Sequence, residues 1–559
     1  MGNNSSSSST EPDGEPDVTE VVVEAPLPVE PRVDPDVREN IEGTSLNSNT
    51  ITSEFNEIKE VILNRSLEAG KAYVYRDKDF PAEPKSLYYT SRAPNQWKDI
   101  AWKRPTDLSK NPRLLQDGQS SEDIVQGMLG NCWFLASCAA IARSAKHIQK
   151  VVPGDQVISG PDYVGMFHFR FWRFGKWVDV IVDDQLPSVR GSLCFGRSAN
   201  RDEFWLPLLE KAYAKVHGSY QAIEGGFTQD GMEDLTGGIA VTYQLGGKTP
   251  DHLYRTMTKA LRNDSFVCGG IQGTSESVDK KTGLVSAHAY SALKVAKVNY
   301  RGSTVKLVKL RNPWGGKNEW KGDWSDDSYT WQYIPDDVKY SIGYANRDNG
   351  EWFMSFDDFT RYFTDVTFCT IGPDFDGDGK PTGDRWLLST AQGKWQNGVN
   401  SGGSRNDLRK YQTNPQYFLE FFQPDVFHPG EDLPEEEGKC SVVLGLMQEY
   451  RRQGRADGMK NLYLCLNVFR VSSKPSGKLD YRFFSRNREV VTTGSYINRR
   501  EVNVTAELDP GKYVIVTFHL LRRRRRRFLD PHFYRNGSEP RRVAIETLNI
   551  TGIRGKKQC

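Results

Sequence analysis

The chain has 559 residues, 37% hydrophobic and 26% charged, with 74 Lys and Arg against 72 Asp and Glu, for a formal net charge of +2. The length predicts about three or four globular domains, and the charge balance excludes a polycation built for nucleic acid, which is not expected as a partner. No apolar run reaches the roughly 18 residues of a membrane-spanning helix, and the start lacks a signal-peptide core. The eight cysteines have no CxxC or other paired spacing, which suits a reducing, cytoplasmic setting and gives no zinc finger.

Residues 1–71 read as a disordered segment: Ser5 to Ser9 form a run, followed by Pro, Glu and Asp with few apolar residues. Met1-Gly2-Asn3-Asn4-Ser5-Ser6 fits the acceptor pattern for N-myristoylation at Gly2. A single acyl chain binds membranes only marginally, and an acidic segment is repelled by anionic lipid. The expected membrane or phospholipid contact is therefore peripheral and reversible.

Residues 72–245 mix helical and strand patterns around Gln126-Gly127-Met128-Leu129-Gly130-Asn131-Cys132-Trp133-Phe134-Leu135-Ala136. Cys132 opens an apolar helix, where unsatisfied N–H groups and the helix dipole favour thiolate. A lone cysteine there is more often a small buried hydrophobe, so the rest of the pattern decides. Gln126 lies close enough to aim an amide donor at an oxyanion. Val164–Phe174 and Trp177–Val182 alternate as strands, and Phe204–Val216 has helical periodicity.

Residues 246–372 are richer in strands. Gly283–Ser291 reads as a turn entering a strand that carries His288, and Val305–Leu310 is a strand ending in Arg311-Asn312-Pro313-Trp314-Gly315. A Cys…His…Asn order with the last two far downstream matches the papain-type arrangement. Cys132 would be the nucleophile, His288 the proton carrier, Asn312 its orienter and Trp314 a shield for their hydrogen bond. Nucleophile and base fall on separate halves, so a cleft between subdomains is expected.

Residues 373–385 read as a linker. Asp374-Phe375-Asp376-Gly377-Asp378-Gly379 imitates a calcium loop, but Pro381 interrupts it and Arg385 takes the place of the bidentate Glu. Gly247-Lys248-Thr249 lacks the upstream glycine of a phosphate loop. From 386 to 520 short strands and turn signals predict an antiparallel β-sandwich with an acidic loop at Glu431, Asp432, Glu435, Glu436 and Glu437. Residues 521–559 form a basic tail with arginine at every position from Arg522 to Arg527; within it Arg542–Ile553 is a candidate substitute for a final strand. The fold class is thus α+β, a two-subdomain papain-like core followed by a sandwich.

From about Tyr75 to Phe518 the chain resembles the calpains, on Phe80-Pro81-Ala82, the stretch around Cys132, Leu208–Lys215 and Leu310–Gly315. The resemblance implies the roles given to Cys132, His288, Asn312 and Gln126. It also implies limited proteolysis of protein substrates and activation by two Ca2+ ions in the core. Gln116, Gly118, Asp123 and Glu203 would hold one ion; Glu319, Asp326, Arg347, Asn349 and Glu351 the other. Asn349 stands where Asp is expected, which predicts weaker binding at the second site. Asn131 replaces an Asp beside the nucleophile, a change expected to tune the chemistry. A chain of this organisation is expected to be an atypical member without the helical calcium-binding domain, and so no small-subunit heterodimer is expected. Two other readings compete: a transglutaminase-like acyltransferase, disfavoured by Asn312-Pro313-Trp314, and a catalytically silent scaffold or membrane-associated regulatory protein.

Overall fold

The computed structural model describes residues 49–115, 124–174, 176–247, 249–262, 265–316, 318–369, 388–396, 398–422, 424, 434–449, 452–494, 496–520 and 543–552. Gly2, Gln116, Gly118, Asp123, Lys248, Asp374–Gly379, Glu431, Asp432 and Arg522–Arg527 lie outside them. No helix of the described residues is long and apolar enough to cross a membrane.

The N-terminal expectation needs correction, because α1 (Asn49–Ala69) is a 21-residue helix within the segment read as disordered. Phe55, Ile58 and Ile62 share one face at helical spacing and pack with Val164 and Met166. The helix carries Ile51, Phe55, Ile58, Val61, Ile62, Leu63 and Leu67, an apolar pattern that the Ser-, Pro- and acid-rich residues before it outweigh when the segment is read by composition as a whole. Phe55 is 1% exposed, and its ring stacks on His168 at 4.1 Å.

The first subdomain of the core is built on α2 (Cys132–Ile141), every residue of which is buried. Around it stand an antiparallel hairpin of β1 (Met166–Arg173) and β2 (Lys176–Asp183), then α3 (Trp205–His217) and α4 (Thr228–Thr236). A helix apolar on all sides must be covered on all sides, and part of that cover comes from the second subdomain.

That second subdomain is a six-stranded antiparallel sheet. Its strands are β3 (Ala240–Gln244), β4 (Phe266–Ile271), β5 (His288–Tyr300), β6 (Ser303–Arg311), β7 (Glu351–Ser355) and β8 (Asp365–Cys369), in the order β7-β6-β5-β4-β8-β3. The sheet thus includes Ala240–Gln244, which the sequence reading left in the first half. Cys369↔Ala240 through Asp365↔Gln244 fix its register. Ser291 pairs with Arg311 across β5 and β6. His288, near the start of one strand, and Asn312, just past the end of the next, therefore meet at one edge.

The sandwich has two four-stranded sheets. One orders β9 (Leu388–Gln396), β16 (Val543–Gly552), β11 (Cys440–Gln448) and β14 (Glu501–Leu508); the other orders β10 (Gln416–Phe421), β15 (Gly511–Leu520), β12 (Tyr463–Val471) and β13 (Val491–Thr492). Trp395, Leu444, Leu464 and Ile515 fill the core between them. The division of the chain at 520 is corrected by β16, which is an inner strand: it pairs with β9 on one side and β11 on the other. Residues 521–542 and their arginines separate this strand from the rest of the sandwich sequence; it falls within the Arg542–Ile553 stretch read as a candidate final strand, and the pairing makes it an inner one.

Candidate active site

Cys132 is the first residue of α2, and α2 lies directly on the sheet of the second subdomain. Ser291 in β5 donates its hydroxyl to the Ala136 carbonyl at 2.9 Å. From the other direction, Arg311 at the end of β6 donates to the Ile124 carbonyl at 3.2 Å, and the Gln126 N–H donates to the Pro313 carbonyl at 3.0 Å. The halves are therefore closed on each other. Gly127 is tight against the Cys194–Phe195 backbone: a Cβ there would fall 2.2 Å from the Phe195 carbonyl oxygen.

His288 follows Ala287, whose φ of +52° turns the chain into the strand. Its Nε2 lies 2.8 Å from Asn312 Oδ1. That oxygen also accepts the Trp314 backbone N–H at 3.0 Å, while Asn312 Nδ2 donates to the Asn318 carbonyl at 3.0 Å. The amide is thus pinned as an acceptor toward the ring, which places the imidazole proton on Nε2 and leaves Nδ1 for the thiol. The Trp314 ring covers the pair, 4.8 Å from the imidazole centroid, and Tyr290 meets it edge-on at 5.0 Å. Asn312 is fully buried, so water does not compete for its bond to His288.

The cleft holds a residue with no sequence signal. Glu276, in the segment between β4 and β5, places its carboxylate 3.2 Å from His288 Nδ1. One Glu276 oxygen, Cys132 Sγ and a His288 ring nitrogen all lie within 4.8 Å of one another. Burial works against the carboxylate, but contacts with His288, Cys132 and Gln126 hold Glu276 below the usual glutamate range. The Cys132 thiol responds in the opposite sense. Burial, then the Glu276 charge, pushes it up to about 12, against hydrogen bonds from the backbone at Ala289 and Trp133. Burial and the Glu276 charge thus oppose, in this arrangement, the thiolate expected from the helix start.

Gln126 stands beside the site with its side chain engaged: Nε2 donates to the Leu129 carbonyl at 3.0 Å, and Oε1 accepts the Trp314 indole N–H at 3.1 Å. Asn131 donates to Glu210 Oε1 at 2.7 Å. Glu210 is fully buried and raised to about 7 by burial. An amide at 131 meets that carboxylate as a donor, whereas an aspartate would add a second buried acid.

Of the first proposed ion site only Glu203 is described; it is buried and accepts the Ser198 hydroxyl at 2.6 Å. The second set is brought together in part. Glu319, Asp326 and Arg347 border a hollow of about 700 Å³, joined by Asp323, Asp327 and Asp348. Burial first, then Asp326 and Asp348, raises Glu319 to about 7; burial first, then Asp327 and Glu351, raises Asp326 to about 6. Asn349 Oδ1 accepts the Glu351 N–H at 3.0 Å, and the Glu351 carboxylate is 2.7 Å from Lys309. Asp348 was missed because its neighbour Asn349 carried the expected spacing.

The sandwich reaches the back of the cleft. Arg500 binds Glu233 and Asp234 of α4 at 2.7 Å each. Arg452 donates to the Gly225 carbonyl at 2.9 Å and lies 4.6 Å over the Trp133 ring, beside the nucleophile.

Fold and site together define a two-subdomain thiol-peptidase core with an attached β-sandwich. Residues 75–370 match the calpain family cysteine protease model, and 391–529 match domain III of the calpain large subunit. Calpain-A of Drosophila melanogaster is 39% identical over 470 residues, 82% of this chain and 55% of that protein. The calpain-2 catalytic subunit of Gallus gallus is 39% identical over 460 residues, 80% of this chain and 64% of that protein. The calpain-1 catalytic subunit of Homo sapiens is 40% identical over 462 residues, 81% of this chain and 63% of that protein. The chain belongs to the calpain family. It spans between about half and two thirds of the length of these relatives.

Proposed function

We propose that this chain is a calcium-dependent cysteine endopeptidase making limited cuts in proteins. The observation that carries the reading is the imidazole of His288, held at Nε2 by Asn312 and with a ring nitrogen within 4.8 Å of the Cys132 sulfur. His288 Nδ1 takes the Cys132 proton as the sulfur attacks a peptide carbonyl, and returns it to the leaving amine. Water then enters, with His288 again as base, and releases the acyl group. Trp314 keeps water from the His288–Asn312 bond throughout. Gln126 serves as oxyanion donor once its amide turns from Leu129. Glu276 leaves the site when an extended substrate segment fills the cleft.

Glu319, Asp326, Asp348, the Arg347 carbonyl and Asn349 suit a calcium ion. The raised pKa values of Glu319 and Asp326 come from burial first and then from neighbouring carboxylates, so the group has charge that a cation would neutralise. Calcium bound there would supply that charge and stiffen the 319–351 loops beneath Asn312. A first ion at Gln116, Gly118, Asp123 and Glu203 rests on the family resemblance. A cytoplasmic, reducing setting suits a nucleophile that must remain a thiol.

The test is cleavage of an unfolded protein substrate across a calcium titration, with Cys132→Ala alongside. Calcium-dependent cleavage lost in the variant supports the whole reading. Cleavage indifferent to calcium removes the ions from it. Amine incorporation would identify a transferase, and binding without turnover a scaffold.

A further inference from the structure

We propose that Cys132, His288 and Glu276 form a binding site for Zn2+ that reversibly blocks the nucleophile. The site stands on its donors and not on turnover, so it holds even if the chain never cleaves a peptide.

One ligand atom from each residue lies within 4.8 Å of the other two. Zinc bonds of about 2.0–2.3 Å in a tetrahedron separate neighbouring ligand atoms by about 3.5 Å. The Glu276 oxygen and His288 Nδ1 are already 3.2 Å apart, so closure needs only a small approach of the sulfur. The donor set, one thiolate, one imidazole and one carboxylate, is that of a borderline cation. Calcium is excluded there by chemistry, since it needs six to eight oxygen ligands.

Two further features suit a metal. The lone pair that coordinates must be on Nδ1, and the outer hydrogen bond from Nε2 to Asn312 Oδ1 at 2.8 Å fixes that tautomer. Asn312 is itself held by Trp314 and Asn318. Such an outer shell orients the ring and raises its basicity. Access is open as well: the Glu276 side chain is partly exposed, and a cleft of about 430 Å³ reaches both Cys132 and His288. On binding, the cation replaces the Cys132 thiol proton, which is released to solvent. The neutral imidazole and the carboxylate give lone pairs, water completes the tetrahedron, and no oxidation state changes.

The experiment uses the full chain, stripped with chelator and titrated with Co2+ and then Zn2+. The expected result is a near-ultraviolet sulfur-to-cobalt band saturating at one equivalent, bleached by Zn2+ and absent in Cys132→Ser. Glu276→Gln, a surface substitution that leaves the fold intact by circular dichroism, should weaken Zn2+ binding about tenfold or more. A band that survives in Cys132→Ser would overturn the proposal. So would unchanged Zn2+ affinity in Glu276→Gln, which would reduce the site to an ordinary Cys–His pair. Because the readout is absorbance, its failure is separable from any failure of proteolysis.

Discussion

The Ser291 hydroxyl donates to the carbonyl of Ala136, one turn beyond Cys132, across 2.9 Å of fully buried space. Ser291 lies along β5 three residues from His288, so this contact ties the helix that opens at Cys132, the proposed nucleophile, to the strand bearing His288, the proposed base. Ser291→Ala removes the donor and leaves a buried carbonyl with less satisfaction. The expected cost is about 1 kcal/mol of stability, with a larger proportional fall in kcat than in KM because the reacting atoms drift apart. Equal thermal unfolding with an unchanged kcat would show that the halves are held by other contacts alone.

The Glu276 carboxylate raises the Cys132 thiol by its charge, after burial. Glu276→Gln should therefore shift the pH–rate profile for alkylation of Cys132 by iodoacetamide to lower pH. Burial persists, so the shift is partial. A profile that stays in place, or moves upward, would contradict the electrostatic account.

Protons and calcium should compete at the second ion site, because Glu319 titrates at about 7 and Asp326 at about 6. Calcium binds the ionised acids, so its affinity should rise as pH climbs from about 6 to 8 and level off above. Calorimetry on the full chain in buffers of different ionisation enthalpy would read the released proton. Glu319→Gln should weaken binding and flatten the pH dependence. The neutral Asn349 further predicts two unequal sites, so two equally tight ions would remove that inference.

Arg500 is buried among Asp230, Glu233 and Asp234, the pair distances being 3.5, 2.7 and 2.7 Å. Glu233 is raised to about 7 by burial, and Arg500 opposes that rise. Arg500→Ala leaves the acids without this partner and should cost about 3–5 kcal/mol in urea unfolding. The loss should be greater at pH 8 than at pH 5.5, since protonated Glu233 has less need of the guanidinium. A uniform loss across that range would point to packing instead of charge.

Docking of α1 rests on Phe55 against His168. Phe55→Ala should cost about 3 kcal/mol and make residues 49–69 sensitive to added protease. Burial alone would lower His168, but hydrogen bonds to Asp155 and Asp179 raise it to about 9. The folded value lies above the unfolded one, so this contribution is complete below about 6.5 and is lost as pH rises through about 9. Thermal unfolding from pH 6 to 10 should show the decline, and His168→Gln should abolish the pH dependence in that window.

The sequence by itself determined the local pieces. An apolar helix opening at Cys132, alternating strands ending near His288 and Asn312, and the sandwich from about 386 are encoded in neighbour-to-neighbour periodicity, which one segment carries alone. The tertiary structure decided what depends on distant segments meeting. Glu276 reaches the thiol because the segment between β4 and β5 folds over the cleft, and burial with that charge raises the thiol that the helix-start position of Cys132 would lower. Asp348 joins Glu319 and Asp326 only when two loops face each other. Val543–Gly552 becomes an inner strand by pairing with Leu388–Gln396 and Cys440–Gln448, and Phe55 anchors a helix by finding His168. Hydrogen-bond pairing, burial and charge summation are sums over space, and sequence spacing records them only where the partners happen to be local.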